Sequence, residues 1–135
     1  MKKKLVLFVC IENSCRSQMA EAFARHLAED VIEAYSAGSH PSGQINPKAL
    51  QSMSNLGYDL GQHRSKSLAE IHYKEFDYVI SMGCGDDCPF IPAVHHEDWE
   101  IPDPKNMPLE EFRDVRDQIR DCVEKLAKNI RWGNE

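Results

Sequence analysis

Cys10, Arg16 and Ser17 bring together a soft nucleophile, a planar cation and a hydroxyl within eight residues. The turn Ile11-Glu12-Asn13-Ser14-Cys15 between thiol and guanidinium can aim several backbone N–H groups into one concavity, which suits a tetrahedral oxyanion. Arg16 adds a fork of donors that grips two oxyanion oxygens at once, which a lysine does less well. The same donors favour the thiolate form of Cys10, and Ser17 can give that sulfur one more hydrogen bond, so that a nucleophile exists at cellular pH. Asn13 tolerates the left-handed backbone that so tight a loop requires. The implied chemistry is attack by a thiolate on a bound oxyanion. The plainer alternative is a buried strand-end cysteine beside a surface arginine, and the elements on either side decide between the two.

Two further groups can extend that chemistry. Cys84 and Cys88, three residues apart, lie in a loop that can reach the first site: Cys84 can attack a sulfur adduct at Cys10, and Cys88 can resolve the resulting disulfide. Two ordinary loop thiols, or a metal site made with His95 and His96, are the alternatives, although adjacent histidines project differently and rarely both bind one zinc. Asp103, held between Pro102 and Pro104, places a carboxyl where a general acid is needed to protonate a departing oxygen. Asp-Pro is also a common turn. Cys15 reads as packing, since one thiol alone can occupy the focus of the donors, and Cys122 reads as core. His63, His72, His95 and His96 have no evident partner in the sequence.

These residues need a scaffold. Leu5 to Val9 is a continuous β-prone run with no polar alternation, the pattern of a strand covered on both faces in a parallel sheet. It ends at Cys10. From Ser17 onward Met19, Ala20, Phe23, Ala24 and Leu27 recur at helical spacing, with Glu21 placed early enough to complement the helix dipole. Val31 to Ser36 predicts a second strand closed by Ala37-Gly38, and Pro47 to about Leu56 a helix stopped by Gly57. A short helix follows near Ser67 to Ile71. Phe76 to Met82 predicts a third strand, broken by the loop Gly83 to Pro89, and Val94 marks a fourth short strand. Beyond Pro102-Asp103-Pro104, Phe112, Val115, Ile119, Cys122, Val123, Leu126 and Ile130 trace one stripe of a long closing helix from Leu109. The alternation implies an α/β fold: a single domain over residues 1–135 with an open, mostly parallel four-stranded sheet flanked by helices. Ligands of such sheets bind outside the carboxyl ends of the strands, where the loops after Val9 and Met82 and the segment around Asp103 can meet.

Composition narrows the function further. A chain of 135 residues suits one core, and there is no repeat or linker. The formal net charge of −6, with Lys and Arg scattered, argues against a nucleic-acid partner, so any anion site must be built locally. The apolar run after the first lysines is too brief for a secretory signal or a membrane span. Five cysteines leave one unpaired in a disulfide framework, which favours reduced thiols. The expectation is a cytoplasmic monomer with no membrane partner and no bound metal or cofactor.

The run Val9-Cys10-Ile11-Glu12-Asn13-Ser14-Cys15-Arg16-Ser17-Gln18-Met19-Ala20-Glu21-Ala22 resembles the signature of the low-molecular-weight tyrosine phosphatase superfamily, and within it the arsenate reductase branch. The likeness extends through Ser36-Ala37-Gly38 and Asp103-Pro104 to the final helix. It implies a phosphatase-like fold, Cys10 as nucleophile, Arg16 and the loop of residues 11–16 as oxyanion holder, Asp103 as acid, and Cys84 and Cys88 as a thiol relay. The implied reaction reduces arsenate to arsenite, with phosphate or sulfate as competing anions and thioredoxin or a similar thiol donor as reductant. The spacing of the two relay cysteines differs from that in similar reductases, which leaves their order of attack open. The alternative is a phosphatase that hydrolyses a cysteinyl-phosphate. Phosphatases that resemble this chain follow Asp-Pro with an aromatic residue, whereas Lys105-Asn106 stands here, and a residual phosphatase activity is expected. A potassium site found in some similar reductases is matched in part by Asn13, Glu21 and Ser36 but not by Gln62-His63-Arg64-Ser65.

Overall fold

The computed structural model describes residues 2–71, 75–83 and 90–133. Four strands form one sheet: β1 (Lys4–Cys10), β2 (Ile32–Gly38), β3 (Phe76–Ser81) and β4 (Ala93–Asp98). Their spatial order is β2-β1-β3-β4, and every pairing is parallel. The expected mostly parallel sheet is thus wholly parallel among the described residues. Three α-helices accompany it, α1 (Arg16–Leu27), α2 (Pro47–Ser54) and α3 (Leu109–Arg131), with a 3-10 turn at Leu68–Glu70. No helix is long and apolar enough to cross a membrane among the described residues.

The unbroken apolar run of β1 follows from its central position. Val6 and Phe8 point into a cluster with Met19 and Phe23 of α1, Met53 of α2 and Phe112, Ile119 and Val123 of α3. Leu7 and Val9 point the other way, against Ala37, Leu68, Ile71, Val79 and Ile91. Among the described residues, all three α-helices therefore pack on one face, while a 3-10 turn and Ile91 cover the other. Burial of each large side chain on either face, such as Phe8 or Phe112, stabilises the fold by about 1.5–3 kcal/mol.

Several boundaries shift for identifiable reasons. β2 runs two residues past Ser36 because Ala37 and Gly38 continue the ladder beside Val9 and Cys10. α2 begins as expected with Asn46 capping Lys48 and Pro47 in the first turn, but it ends at Ser54; Gly57, at φ +87°, turns the chain after it. Ser67 and Glu70 cap one another around the 3-10 turn, which stops after three residues. β4 is mostly exposed, an edge strand with little apolar patterning to announce it. Cys122 is only half-buried and lies at the margin of the α3 stripe, a correction to its expected place in the core.

Gly38 fixes the distance between sheet and loop. A Cβ there would lie 2.5 Å from the Ile11 carbonyl oxygen and 2.9 Å from the Asn13 nitrogen, both main-chain atoms of the turn after β1. Its role is space rather than backbone freedom. Gly38→Ala is expected to displace the 11–13 backbone and to cost roughly 1–3 kcal/mol in urea denaturation, as overpacking does. Any activity of Cys10 should fall further than stability alone explains; wild-type stability with wild-type activity would show that the turn can yield.

Candidate active site

The turn from Cys10 to Arg16 is held by its carbonyls. Cys10 O accepts from Ser39 N at 3.4 Å, Ile11 O from His40 N at 2.8 Å, Glu12 O from Ser42 N at 3.1 Å and from Ser65 Oγ at 2.9 Å, and Ser14 O from Asn46 N at 3.0 Å. Asn13 O accepts from Gln18 Nε2 at 3.2 Å. Each of these oxygens faces outward into surrounding chain. A peptide N–H lies trans to its carbonyl, so outward oxygens turn the amides of residues 11–15 inward. Among the described residues no protein acceptor takes those amides. They border a pocket of about 50 Å³ lined by Cys10, Ile11, Glu12, Ser14, Cys15, Arg16, Asp103 and Lys105. That is far below the roughly 300 Å³ at which organic-ligand sites begin, and it suits a small ion.

The Cys10 thiol, the expected nucleophile, has a defined partner. Ser17 Oγ lies 2.9 Å from Cys10 Sγ and accepts from Asn13 Nδ2 at 2.7 Å. With the Asn13 N–H directed at it, the hydroxyl is free to give its own hydrogen to a Cys10 thiolate. Asn13 has the expected left-handed backbone, φ 51°, and is fully buried, but its side chain serves the support rather than the pocket. Its Oδ1 accepts from Lys66 N at 2.7 Å and Gln18 Nε2 at 2.9 Å. Cys15 behaves differently from its neighbour. Burial pushes its thiol up to about 12, only partly opposed by the Ser14 hydroxyl 3.7 Å away, with Asp103 and Cys10 pushing the same way as burial.

Arg16 is 5% exposed, and two main-chain carbonyls hold it: Nη1 donates to Met82 O and to Ile101 O, the latter at 3.0 Å. Nη2 lies 3.9 Å from Asp103 Oδ2, so the expected acid and the guanidinium meet at the pocket. Gly83 closes that corner, since a Cβ there would lie 2.9 Å from Arg16 Nη1 on a backbone already at φ +72°. At the pocket mouth Lys105 Nζ and Glu12 Oε2 pair at 2.6 Å, an interaction that raises the Lys105 pKa. Lys105 N also donates to Asp103 Oδ1 at 3.0 Å and orients the carboxyl. Cys84, Cys88 and His72 lie outside the described residues.

The structure finds partners that the sequence did not suggest. Glu21 does not serve mainly as the dipole-complementing charge expected of it, since it lies beyond the first turn. It is buried one turn further along α1, paired with Arg25 at 2.7 Å and approached by Lys66 at 3.7 Å, and it accepts a short hydrogen bond from Ser36 Oγ. His63, which has no evident partner in the sequence, places Nδ1 2.9 Å from Gln18 Oε1; an amide oxygen can only accept, so Nδ1 carries the proton. His95 stacks on Tyr78 and His96 on Phe90, so the two adjacent histidines use opposite faces of β4. Gln18, Lys66 and Gly83 were missed outright. A glutamine on the apolar face of a predicted helix was the one signal that could have pointed to a buried polar support.

The family model described as low molecular weight phosphotyrosine protein phosphatase matches residues 5–134. The chain belongs to that family. It is 39% identical over 128 residues to the arsenate reductase of Staphylococcus aureus strain Newman, covering 92% of this chain and 96% of that protein. The structure described as an arsenate reductase in the phosphate binding state superposes with TM-score 0.85 at 39% identity, covering 94% of this chain and 98% of that one. A thioredoxin-dependent arsenate reductase from Corynebacterium glutamicum gives TM-score 0.78 at 34% identity, over 97% of this chain and 63% of that one.

His63 yields a pH prediction. Burial lowers its pKa from 6.5 more than the Glu21 charge raises it, so the folded state binds a proton less readily than the unfolded chain. Its stabilising contribution is complete above pH 6.5 and is lost as pH falls through the lower folded value. Asp30 and Glu70, whose pKa values lie below 3.8 and 4.5, act only at more acid pH. The Tm of the protein should therefore decline as pH falls below 6.5, and His63→Gln should flatten that decline. Parallel Tm profiles for the two proteins would remove His63 as its source.

Proposed function

We propose that this chain is an arsenate reductase in which Cys10 attacks arsenate held by the inward amides of residues 11–15 and by the Arg16 side chain. The near-full-length identity to arsenate reductases carries the choice of reaction. The small amide-lined pocket around a thiol that faces a hydroxyl supports the first step. In that step the Cys10 thiolate forms a sulfur–arsenic bond while Asp103 protonates the departing hydroxide, which leaves as water. Cys84 thiolate then attacks Cys10 Sγ. The sulfur–arsenic bonding pair passes to arsenic, which is reduced from As(V) to As(III) and leaves as arsenite, and a Cys10–Cys84 disulfide remains. Cys88 thiolate displaces Cys10 to give a Cys84–Cys88 disulfide, and a thioredoxin-like dithiol restores both thiols.

Phosphoester hydrolysis uses the same loop, Arg16 and Asp103, and a weak phosphatase activity belongs to this reading. The Lys105–Glu12 pair across the pocket mouth favours a small inorganic anion over an aryl phosphate. Arsenite formation with thioredoxin, thioredoxin reductase and NADPH should collapse in Cys84→Ser and Cys88→Ser while aryl phosphate hydrolysis survives. Asp103→Asn should slow the arsenate step by roughly 10²–10⁴-fold. No arsenite from the wild type with several thiol donors, beside brisk phosphatase turnover, would replace this reading with the hydrolytic one.

Lys105→Ala should shift specificity. Opening the mouth is expected to raise kcat/KM for a small aryl phosphate relative to arsenate by roughly threefold to tenfold, the scale of one lost contact. An unchanged ratio would show that the ion pair does not govern entry.

A further inference from the structure

Behind the loop, on the side away from the pocket, Lys66 extends into the gap between α1 and β2. Its Nζ lies 2.9 Å from Arg64 O, 3.4 Å from Ser36 Oγ and 3.7 Å from Glu21 Oε1. The Lys66 side chain is 17% exposed and that of Glu21 5%. A carboxylate this deeply buried requires positive charge nearby. Arg25, largely exposed, supplies some of it at Oε2, while Ser36 and Lys66 face Oε1. The surroundings of the ammonium are a carbonyl, a hydroxyl and a carboxylate, the oxygen ligands that a hard monovalent cation takes.

The same residue also holds the loop through its main chain. Lys66 N donates to Asn13 Oδ1 at 2.7 Å, and Lys66 O accepts from Gly38 N at 2.8 Å. Asn13 bonds to Ser17, and Ser17 reaches Cys10 Sγ. One end of Lys66 is therefore fixed on helix and strand, and the other orients the asparagine that aims the Ser17 hydroxyl. We propose that the Lys66 ammonium is a built-in monovalent cation, a positioning charge that locks the back of the oxyanion loop and makes it independent of free potassium. Burial lowers the pKa of this ammonium from 10.5 and the Glu21 carboxylate opposes that, as expected for a cation held inside the fold by its counter-charge.

The test compares the full chain with Lys66→Met in potassium chloride and in choline chloride at matched ionic strength, reading Tm and the affinity for inorganic phosphate by calorimetry. Choline is too large for the gap. The wild type should give the same Tm and the same affinity in both salts. In choline, Lys66→Met should bind phosphate roughly fivefold to tenfold more weakly. In potassium it should regain much of that affinity together with a higher Tm. Adding Glu21→Gln to Lys66→Met removes the carboxylate and should abolish the potassium response. A wild type whose Tm rises with potassium, or a Lys66→Met protein that behaves alike in both salts, including one unfolded in both, overturns the proposal. The affinity readout rests on the oxyanion-binding reading above, but the Tm readout does not. If neither protein bound phosphate, that reading would fail while the potassium dependence of Tm still decided the role of Lys66.

Discussion

Everything at the site depends on which way the peptide groups between Cys10 and Arg16 face. An anion nest exists when consecutive N–H groups converge, and they converge only if the matching carbonyls find donors on the outside. Five carbonyls need such donors, and three separate stretches of chain supply them: residues 39–46, Gln18 of α1 and Ser65. Left without partners, buried carbonyls would each cost about 1–3 kcal/mol, enough to turn the loop inside out. The segment from Ser39 to Asn46, irregular and poor in apolar residues, is therefore part of the active-site construction although none of it lines the pocket.

The same requirement bears on how an acidic protein could hold the proposed anion. With a net charge of −6 the long-range field is unfavourable, so attraction must come from short-range dipoles and one cation that water does not screen. Arg16 meets that need because it is buried and its Nη1 is tied down by the Met82 and Ile101 carbonyls, one from the end of β3 and one from the chain after β4. A guanidinium fixed at one nitrogen keeps its remaining donors pointed in one direction. Topology makes this possible: β3 neighbours β1 and β4 neighbours β3, so the carboxyl ends of three parallel strands arrive on the same side.

Sequence legibility followed the reach of each interaction. The strands, the helices and the thiol loop were readable because β1 is apolar on both faces and α3 repeats its stripe for six turns, both local patterns. Asp103 drew notice between its prolines, but a common turn looks the same and only the family resemblance gave it a role; the structure places it 3.9 Å from Arg16. What was not readable is long-range and polar. Glu21 looked like a dipole-complementing acid because helical spacing says nothing of Lys66, forty-five residues on. His63 looked unpaired because its partner Gln18 is equally distant. Gly38 read as a strand terminator, whereas its missing Cβ admits the loop backbone. Cys122 read as core because it falls on the α3 stripe, but stripe margins are decided by what packs opposite.

The contrast between Cys10 and Cys15 carries the argument to its end. Both thiols are buried, both border the same pocket, and four residues separate them. Proximity to the anion site therefore cannot distinguish them. What differs is the direction of the polar hydrogens: Ser17, primed by Asn13, faces Cys10 Sγ at 2.9 Å, while Cys15 has the Ser14 hydroxyl at 3.7 Å and packs into the larger apolar cluster. Burial pushes the Cys15 thiol up to about 12, which disfavours its thiolate and agrees with its reading as a packing residue. The asymmetry begins at Asn13, whose orientation depends in turn on the amides of Lys66 and Gln18. The surroundings of the two thiols are thus set apart by a buried amide on the far side of the loop, and a change in that support should alter the environment of Cys10 without touching the pocket.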